Sequence, residues 1–95
     1  MRVRWTYEAL KDLDEALAYI AEEDGNTARN ISIAIKAAAK SLSTLPNRGR
    51  PGFVEGTREL LVPNLPYFFV FWIQKEQVEI LRLMHFSRKW PRIAQ

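Results

Sequence analysis

The side chains in this chain that could do chemistry are one histidine and two arginines, close to three short apolar segments. His85 is the only histidine, and an imidazole is the usual general acid or base near neutral pH. Arg58 and Arg82 are permanent cations that could hold a phosphate or a carboxylate. Cleavage of RNA through its own 2′-hydroxyl needs groups that move protons and cations that hold the phosphate. These three residues could supply part of such a set.

Each of the three also has a structural interpretation. His85 directly follows an apolar segment, where its ring could cap the end of a strand through a hydrogen bond. Arg82 falls among aliphatic residues, and an arginine there is normally paired because an isolated buried charge is costly. Its partner could be Glu59 or a carboxylate of the first helix. The alternative is an open arginine that grips a phosphate or the carboxylate of a partner protein.

Alternation along the last apolar segment predicts which residues share a face of the sheet. One face would carry Val78, Ile80, Arg82 and Met84. The other would carry Glu79, Leu81, Leu83 and His85. This places Arg82 and His85 on opposite faces, which weakens the case that they act together on one substrate.

Two further basic segments lie outside these strands. Residues 48–52 contain two arginines and two glycines, but they lack the lysine and Ser/Thr of a phosphate-binding P-loop and do not open a helix. They are either solvated or a weak anion site. Residues 86–92 interleave bases and aromatics, as nucleic-acid surfaces often do, although Phe86 and Trp90 could instead fold back and close the core. With no cysteine and one histidine, we expect no metal site and no cofactor.

Hydrophobic periodicity predicts the elements that must position these residues. Residues 3–5 form a short strand, and Thr6 caps the helix that follows. The apolar residues of that helix recur at steps of three and four: Leu10, Leu13, Leu17 and Ile20. A second helix, capped by Asn26 or Thr27, continues to Pro46, and residues 46–57 form a loop. Three strands follow at 58–62, 67–73 and 78–84. The middle one is apolar on both faces, as expected for a strand covered on each side.

Length and composition indicate one compact domain over residues 1–95. Hydrophobic residues make up 47% of the 95 residues and charged residues 26%, which is ordinary for a globular protein. The N-terminal residues do not resemble a signal peptide, and the longest apolar run, 67–73, is far too short to span a membrane. We therefore expect a cytoplasmic protein without a membrane partner or a small-molecule ligand.

The charge is unevenly distributed along the chain. Residues 1–24 hold three bases and seven acids, a net charge of −4, whereas residues 25–95 hold eleven bases and four acids, a net charge of +7. This layout favours an anionic partner for the second part, either nucleic acid or an acidic protein segment. Alternatively, the acids simply cover the solvent face of one helix.

The order of several short motifs identifies a family resemblance that covers nearly the whole chain. The motifs are Thr6-x-x-Ala9-x-x-Asp12-Leu13, Tyr19-Ile20, Leu45-Pro46, Gly49-Arg50-Pro51-Gly52, Gly56-Thr57-Arg58-Glu59-Leu60, Val78-x-Ile80-Leu81-Arg82-Leu83-Met84-His85, Arg88 and Trp90. Together they resemble the RelE/ParE superfamily of bacterial toxins, and its ParE branch most. The resemblance implies an α+β fold in which an N-terminal strand and an antiparallel helical hairpin pack on a curved, mainly antiparallel sheet.

The resemblance also implies a function. A chain of this family is the toxin of a type II toxin–antitoxin system, which inhibits growth, stabilises plasmids and is silenced in a hetero-oligomer by a cognate antitoxin. In the ParE branch the antitoxin resembles ParD and the target is DNA gyrase. RelE-type toxins are instead endoribonucleases that cut messenger RNA on the ribosome. The third hypothesis is an inactive toxin-like module that only binds its antitoxin.

The ribonuclease branch has basic residues around the concave face of its sheet that this chain lacks. Phe68 follows Tyr67 where that branch has an arginine, Phe86 follows His85, and no tyrosine comes later. A gyrase-directed toxin that is not an enzyme is therefore the leading hypothesis, and a ribonuclease would have to use His85, Arg82 and Arg58. The predicted target-binding residues are Arg58, Arg82, His85, Arg88, Lys89 and Trp90. The predicted antitoxin-binding residues are Leu10, Leu13, Leu17, Phe68 and Trp72.

Overall fold

The computed structural model describes residues 1–87, which form two helices and a five-stranded sheet. The elements in chain order are β1 (Arg2–Trp5), α1 (Tyr7–Glu23), α2 (Gly25–Ser41), β2 (Arg50–Pro51), β3 (Arg58–Leu61), β4 (Tyr67–Gln74) and β5 (Gln77–His85). This confirms the predicted α+β class, the N-terminal strand and the helical hairpin. The two-residue strand β2 lies inside the segment that was predicted to be loop. Neither helix in this part of the chain is long and apolar enough to cross a membrane.

Two capping residues define the helical hairpin: Thr6 before α1 and Asp24 between α1 and α2. The Thr6 hydroxyl accepts a hydrogen bond from the Ala9 N–H at 3.2 Å and donates to the Ile80 carbonyl at 2.9 Å. It therefore caps α1, as predicted, and ties the start of the helix to β5. Asp24, and not Asn26 or Thr27, caps α2, so the predicted cap was wrong.

Asp24 can serve both helices because its backbone is extended. Its N–H closes α1 by donating to Ile20, and its carboxylate accepts from the backbone of Asn26 at 2.9 Å and the hydroxyl of Thr27 at 2.9 Å. These bonds favour the charged carboxylate, and the Thr27 hydroxyl contributes most to lowering the pKa of Asp24. One linking residue therefore satisfies end groups of both helices.

The strand order is β1-β5-β4-β3-β2. β1 runs parallel to β5, and the other three pairs are antiparallel, so the sheet is mainly antiparallel, as predicted. β1 pairs with β5 only between Gln77 and Ile80. The last half of β5 therefore has β4 on one side and no strand of the described chain on the other.

A β-bulge at Leu81 reverses the alternation of side chains along β5. Phe71 of β4 is opposite Ile80 while Val70 is opposite Arg82, which leaves Leu81 as the extra residue. As a result Val78, Ile80 and Leu83 join the core beneath the helices, whereas Met84 lies on the other side with Phe68 and Val70. The predicted grouping of Val78 and Ile80 with Arg82 and Met84 was wrong for this reason. His85 and Arg82 still alternate in direction, because no bulge lies between them.

The main core lies between the sheet and the hairpin. Its largest members with almost no exposed surface are Phe69, Phe71, Ile35, Leu42 and Ile80. The opposite face of β4 is covered as well, since Phe68 is nearly buried beneath the ring of Phe86, with ring centroids 6.3 Å apart. The prediction that β4 is buried on both faces is therefore confirmed.

The ion pair between Arg4 and Glu79 should make stability depend on pH. The bond from Arg4 contributes most to lowering the pKa of Glu79, and a bond from the Trp72 indole at 2.8 Å adds to it. Because the folded-state pKa is below the unfolded value, this stabilisation is complete above about pH 4.3, the ordinary glutamate value, and is lost as the pH falls through the folded-state pKa. Glu79→Gln should therefore lower the melting temperature at pH 7, and the difference from wild type should shrink as the pH falls through the folded-state pKa of Glu79. A difference that stays the same throughout an acid titration would contradict this.

Candidate functional site

Arg82 is held by the first helix. Its Nε lies 2.7 Å from Oδ2 of Asp12 and its Nη2 lies 2.9 Å from Oδ1, which is a bidentate pair. Asp12 is 9% exposed and Arg82 25% exposed. The bond to Asp12 contributes most to raising the pKa of Arg82, and the charges of Asp12, Glu8 and Glu15 add to it. Of the two interpretations of Arg82 that the sequence left open, the paired one is confirmed, and the partner is a carboxylate of the first helix, Asp12, rather than Glu59.

Asp12 also closes the open side of β5. Beyond Ile80 the backbone of β5 has lost β1 as a neighbour, and the N–H of Leu83 donates to Oδ2 of Asp12 at 3.0 Å. One carboxylate thus satisfies both a guanidinium and a strand-edge N–H next to the bulge. Sequence reasoning placed a carboxylate here without identifying Asp12. The signal was its position next to Leu13, at the border of the apolar stripe of α1.

His85 caps the end of β5. Its Nδ1 accepts the backbone N–H of Ser87 at 3.0 Å and lies 2.8 Å from the Ser87 hydroxyl. Since that N–H can only donate, the neutral ring carries its proton on Nε2. The ring meets Tyr67 edge to face, with centroids 5.2 Å apart. The structural interpretation of His85 as a strand-end cap is confirmed.

The groove beside His85 is acidic. It has a volume of about 790 Å³ and lies between the helical hairpin and the ends of β4 and β5. Its charged lining consists of the carboxylates of Asp12 and Glu15, and no lysine or arginine of residues 1–87 lines it. An RNA phosphate would meet the carboxylate of Glu15 there, while that of Asp12 is already paired with Arg82, and no lysine or arginine of the described lining would hold the phosphate.

Arg58 is far from His85 along the sheet, and β4 lies between it and Arg82. It donates to the carbonyl oxygens of Asn47 at 2.7 Å, Gly49 at 3.0 Å and Arg48 at 3.3 Å. Arg58 is opposite Phe71 on β4, whereas His85 is opposite Tyr67, four residues along the same strand. At about 3.4 Å per residue this separates them by about 13 Å along the sheet. The structure therefore does not bring His85, Arg82 and Arg58 together as a catalytic set.

The basic loop is not an open phosphate cradle. The guanidinium of Arg48 donates to the Ser41 hydroxyl at 2.9 Å, and that of Arg50 pairs with Glu59 at 3.0 Å. Within residues 1–87, no cluster of three or more histidines and carboxylates could hold a metal ion. Both arginines of this loop are thus bonded to other side chains of the protein.

Comparison with known proteins identifies the family. Residues 3–90 match the family model described as the ParE toxin of the type II toxin-antitoxin system, parDE. The chain belongs to this toxin family. It is 40% identical over 92 residues to the protein named "Putative toxin Y4kP" of Sinorhizobium fredii, covering 97% of this chain and 95% of that one. It is 33% identical over 87 residues to toxin RelE2 of Caulobacter vibrioides, covering 92% and 97%.

A solved structure agrees with this assignment. A chain of the chromosomal ParDE toxin–antitoxin system from P. aeruginosa superposes with a TM-score of 0.83 at 27% identity, covering 90% of this chain and 95% of that one. This ParE-family chain is therefore a toxin of a type II toxin–antitoxin system, and the predicted resemblance and fold are both confirmed.

The residues predicted to bind the antitoxin of this ParE-family toxin are not equally accessible. Leu10 is exposed and Leu17 partly buried, but Leu13 is 4% exposed and belongs to the core. Leu13 therefore offers little surface to a partner, against the expectation from sequence. Phe68 is nearly buried, and Trp72 is half-buried with its indole bonded to Glu79. The target-binding candidates Arg88, Lys89 and Trp90 lie outside the described residues.

Proposed function

We propose that this toxin acts on DNA gyrase as a binding protein, without covalent chemistry of its own, and so arrests growth. The match to the ParE family over residues 3–90 carries the proposal. The site supports it, because each of the three side chains of residues 1–87 that were predicted for a nuclease already has a protein partner. Arg82 is paired with Asp12, Arg58 is bonded to loop carbonyls, and Nδ1 of His85 is occupied by Ser87.

The neutralising partner in this proposal is a ParD-like antitoxin that forms a hetero-oligomer with the toxin in the cytoplasm. An amphipathic antitoxin helix could lie along the hairpin, where Leu10 is exposed and Leu17 is partly exposed, and a second segment could reach Trp72. An antitoxin segment rich in acids would suit the basic part of the chain, which carries a net charge of +7. Such a pair would stabilise a plasmid that encoded it.

A pulse of expression tests the target. In cells without the antitoxin, a gyrase-directed toxin should cause growth arrest, accumulation of cleaved DNA bound to gyrase, and an SOS response. Mapped cuts in messenger RNA without cleaved DNA would instead identify a ribonuclease. Normal growth together with tight antitoxin binding would identify an inactive module. Co-expression of the gene adjacent to the toxin gene, with a tag on the toxin, tests the antitoxin by co-purification.

His85→Gln separates the binding proposal from ribonuclease chemistry. Glutamine can still accept a hydrogen bond from Ser87 but cannot shuttle a proton near neutral pH. We expect the variant to arrest growth about as strongly as wild type, whereas a ribonuclease would lose about 10²–10⁴-fold in rate. Removal of residues 88–95, with Phe86 kept because its ring covers Phe68, should impair growth arrest far more. A folded but harmless His85→Gln variant, with residues 88–95 dispensable, would overturn the proposal.

A further inference from the structure

A buried carboxylate organises the loop between β2 and β3. Glu59 is 9% exposed and lies on β3. Its Oε1 accepts from Nε and Nη2 of Arg50 at 3.2 and 3.0 Å, and its Oε2 accepts the backbone N–H of Phe53 at 3.3 Å. The carboxylate therefore fixes both the arginine and the first residue of the loop tip, defined here as residues 53 and 54.

Hydrogen bonds within the loop hold the rest of it in place. The Thr57 hydroxyl donates to the Val54 carbonyl at 2.5 Å, and the Thr57 N–H donates to the same oxygen at 3.0 Å. The N–H of Gly52 donates to the Thr57 carbonyl at 2.7 Å. Arg58 anchors the preceding segment through three carbonyls. The loop tip is thus held on both sides before any partner arrives.

This ordered loop presents apolar side chains to solvent. Phe53 is 70% exposed and Val54 37% exposed. A single exposed apolar residue is ordinary, but here an aromatic ring lies on a backbone fixed by a buried carboxylate, so little conformational entropy is lost when a partner covers it. Aromatic residues and arginines are enriched at protein interfaces, and the side chain of Arg50, which shares the Glu59 carboxylate with the loop tip, is 67% exposed.

We propose that the loop tip, Phe53 and Val54, is a contact through which the toxin binds its protein target. The target surface that fits is an apolar pocket with a carboxylate at its rim, because the guanidinium of Arg50 bonds the same Glu59 carboxylate that holds the backbone of Phe53. This inference rests on the proposed function, in which the target is a protein rather than RNA. The loop lies three strands away from β5, where α1 packs, so an antitoxin helix on the hairpin would leave it accessible.

Phe53→Ala tests the contact, with Tyr7→Ala as its matched control. Tyr7 is 75% exposed at the start of α1, on the opposite side of the sheet order from the loop. Phe53→Ala should reduce growth arrest, and gyrase-bound DNA cleavage, at least about tenfold at equal expression. Its melting temperature and its co-purification with the antitoxin should stay at wild-type values, and Tyr7→Ala should keep full toxicity.

A pair of charge-removing changes tests the carboxylate at the rim. Arg50→Gln, whose amide can still donate to Glu59, should weaken growth arrest at an unchanged melting temperature, whereas Lys75→Gln, at an exposed base in the turn between β4 and β5, should not. Full toxicity of Phe53→Ala would overturn the inference, and so would loss of antitoxin binding alone, which would make the tip an antitoxin surface. If wild type traps gyrase and Phe53→Ala traps it equally well, the loop contact fails and the gyrase proposal stands. If wild type cuts messenger RNA without trapping gyrase, the gyrase proposal fails, and the protein pocket proposed for the loop tip fails with it.

Discussion

Asp12→Ala is expected to destabilise the fold by about 3 kcal/mol, because it removes the partner of a mostly buried arginine. Arg82 would keep its charge in a site where 25% of its side chain meets solvent, and the N–H of Leu83 would lose its acceptor. Both effects act at the bulge, where β5 no longer has β1 beside it. At roughly 4–8 °C per kcal/mol for a domain of this size, the melting temperature should fall by about 12–24 °C.

Asp14→Ala is the matched control for this change. Asp14 lies on the same helix, two residues further on, and is exposed, so its loss should change the unfolding free energy by less than about 0.5 kcal/mol. Asp12→Asn should give an intermediate result, since the amide oxygen can still accept one hydrogen bond but carries no charge. Equal melting temperatures for Asp12→Ala and Asp14→Ala would show that the pair with Arg82 does not hold α1 to the sheet.

The parts of the fold that local patterns determine could be predicted from the sequence. The apolar residues of α1 recur at helical steps, and Thr6 is followed by the helix whose N–H it accepts. β4 is apolar on both faces and is buried on both. In these segments the residues that determine the structure lie within a few positions of the structure they determine. Propensity and periodicity are therefore enough to predict it.

The features that could not be predicted depend on pairing between distant segments. The bulge at Leu81 is a property of the register between β4 and β5, and alternation within β5 alone cannot reveal it. β2 is two residues long and is defined by the pairing of Arg50 with Glu59 and of Pro51 with Arg58 on β3. The bond between Asp12 and Arg82 joins residues 70 positions apart. The cost of a buried charge suggested that Arg82 could be paired. Which carboxylate pairs with it depends on how α1 lies on β5.

The same distinction, between local patterns and distant contacts, explains why the candidate catalytic residues have other roles in the structure than the sequence suggested. In sequence, His85, Arg82 and Arg58 look like a possible catalytic set because they are the right residue types near strand ends. In the fold, Arg82 faces a helix carboxylate, Arg58 serves the loop, and His85 caps its own strand. Their hydrogen bonds hold α1, the loop and the end of β5 in place, and the three side chains do not meet at one site.

Gly49→Ala is expected to cost about 2–5 kcal/mol and to disturb the loop that carries Phe53. Gly49 has a φ of +88°, which costs an alanine about 1–2 kcal/mol. A Cβ at this position would also overlap the backbone carbonyl of Glu59, which lies in a strand and cannot rotate away. Relieving that overlap would pull β2 from β3 and strain the bond between Arg50 and Glu59, adding about 1–3 kcal/mol.

Gly56→Ala separates the two contributions. Gly56 has nearly the same φ, +85°, but a Cβ there would meet no atom within 4 Å, so only the conformational cost of about 1–2 kcal/mol should appear. Unfolding both variants in urea gives the overlap energy as the difference between their free energies of unfolding. If the two variants were equally stable, β3 would have to yield to the added methyl group without cost. The loop would then be too compliant to hold Phe53 in a fixed position, and the preorganised contact proposed for it would lose its physical basis.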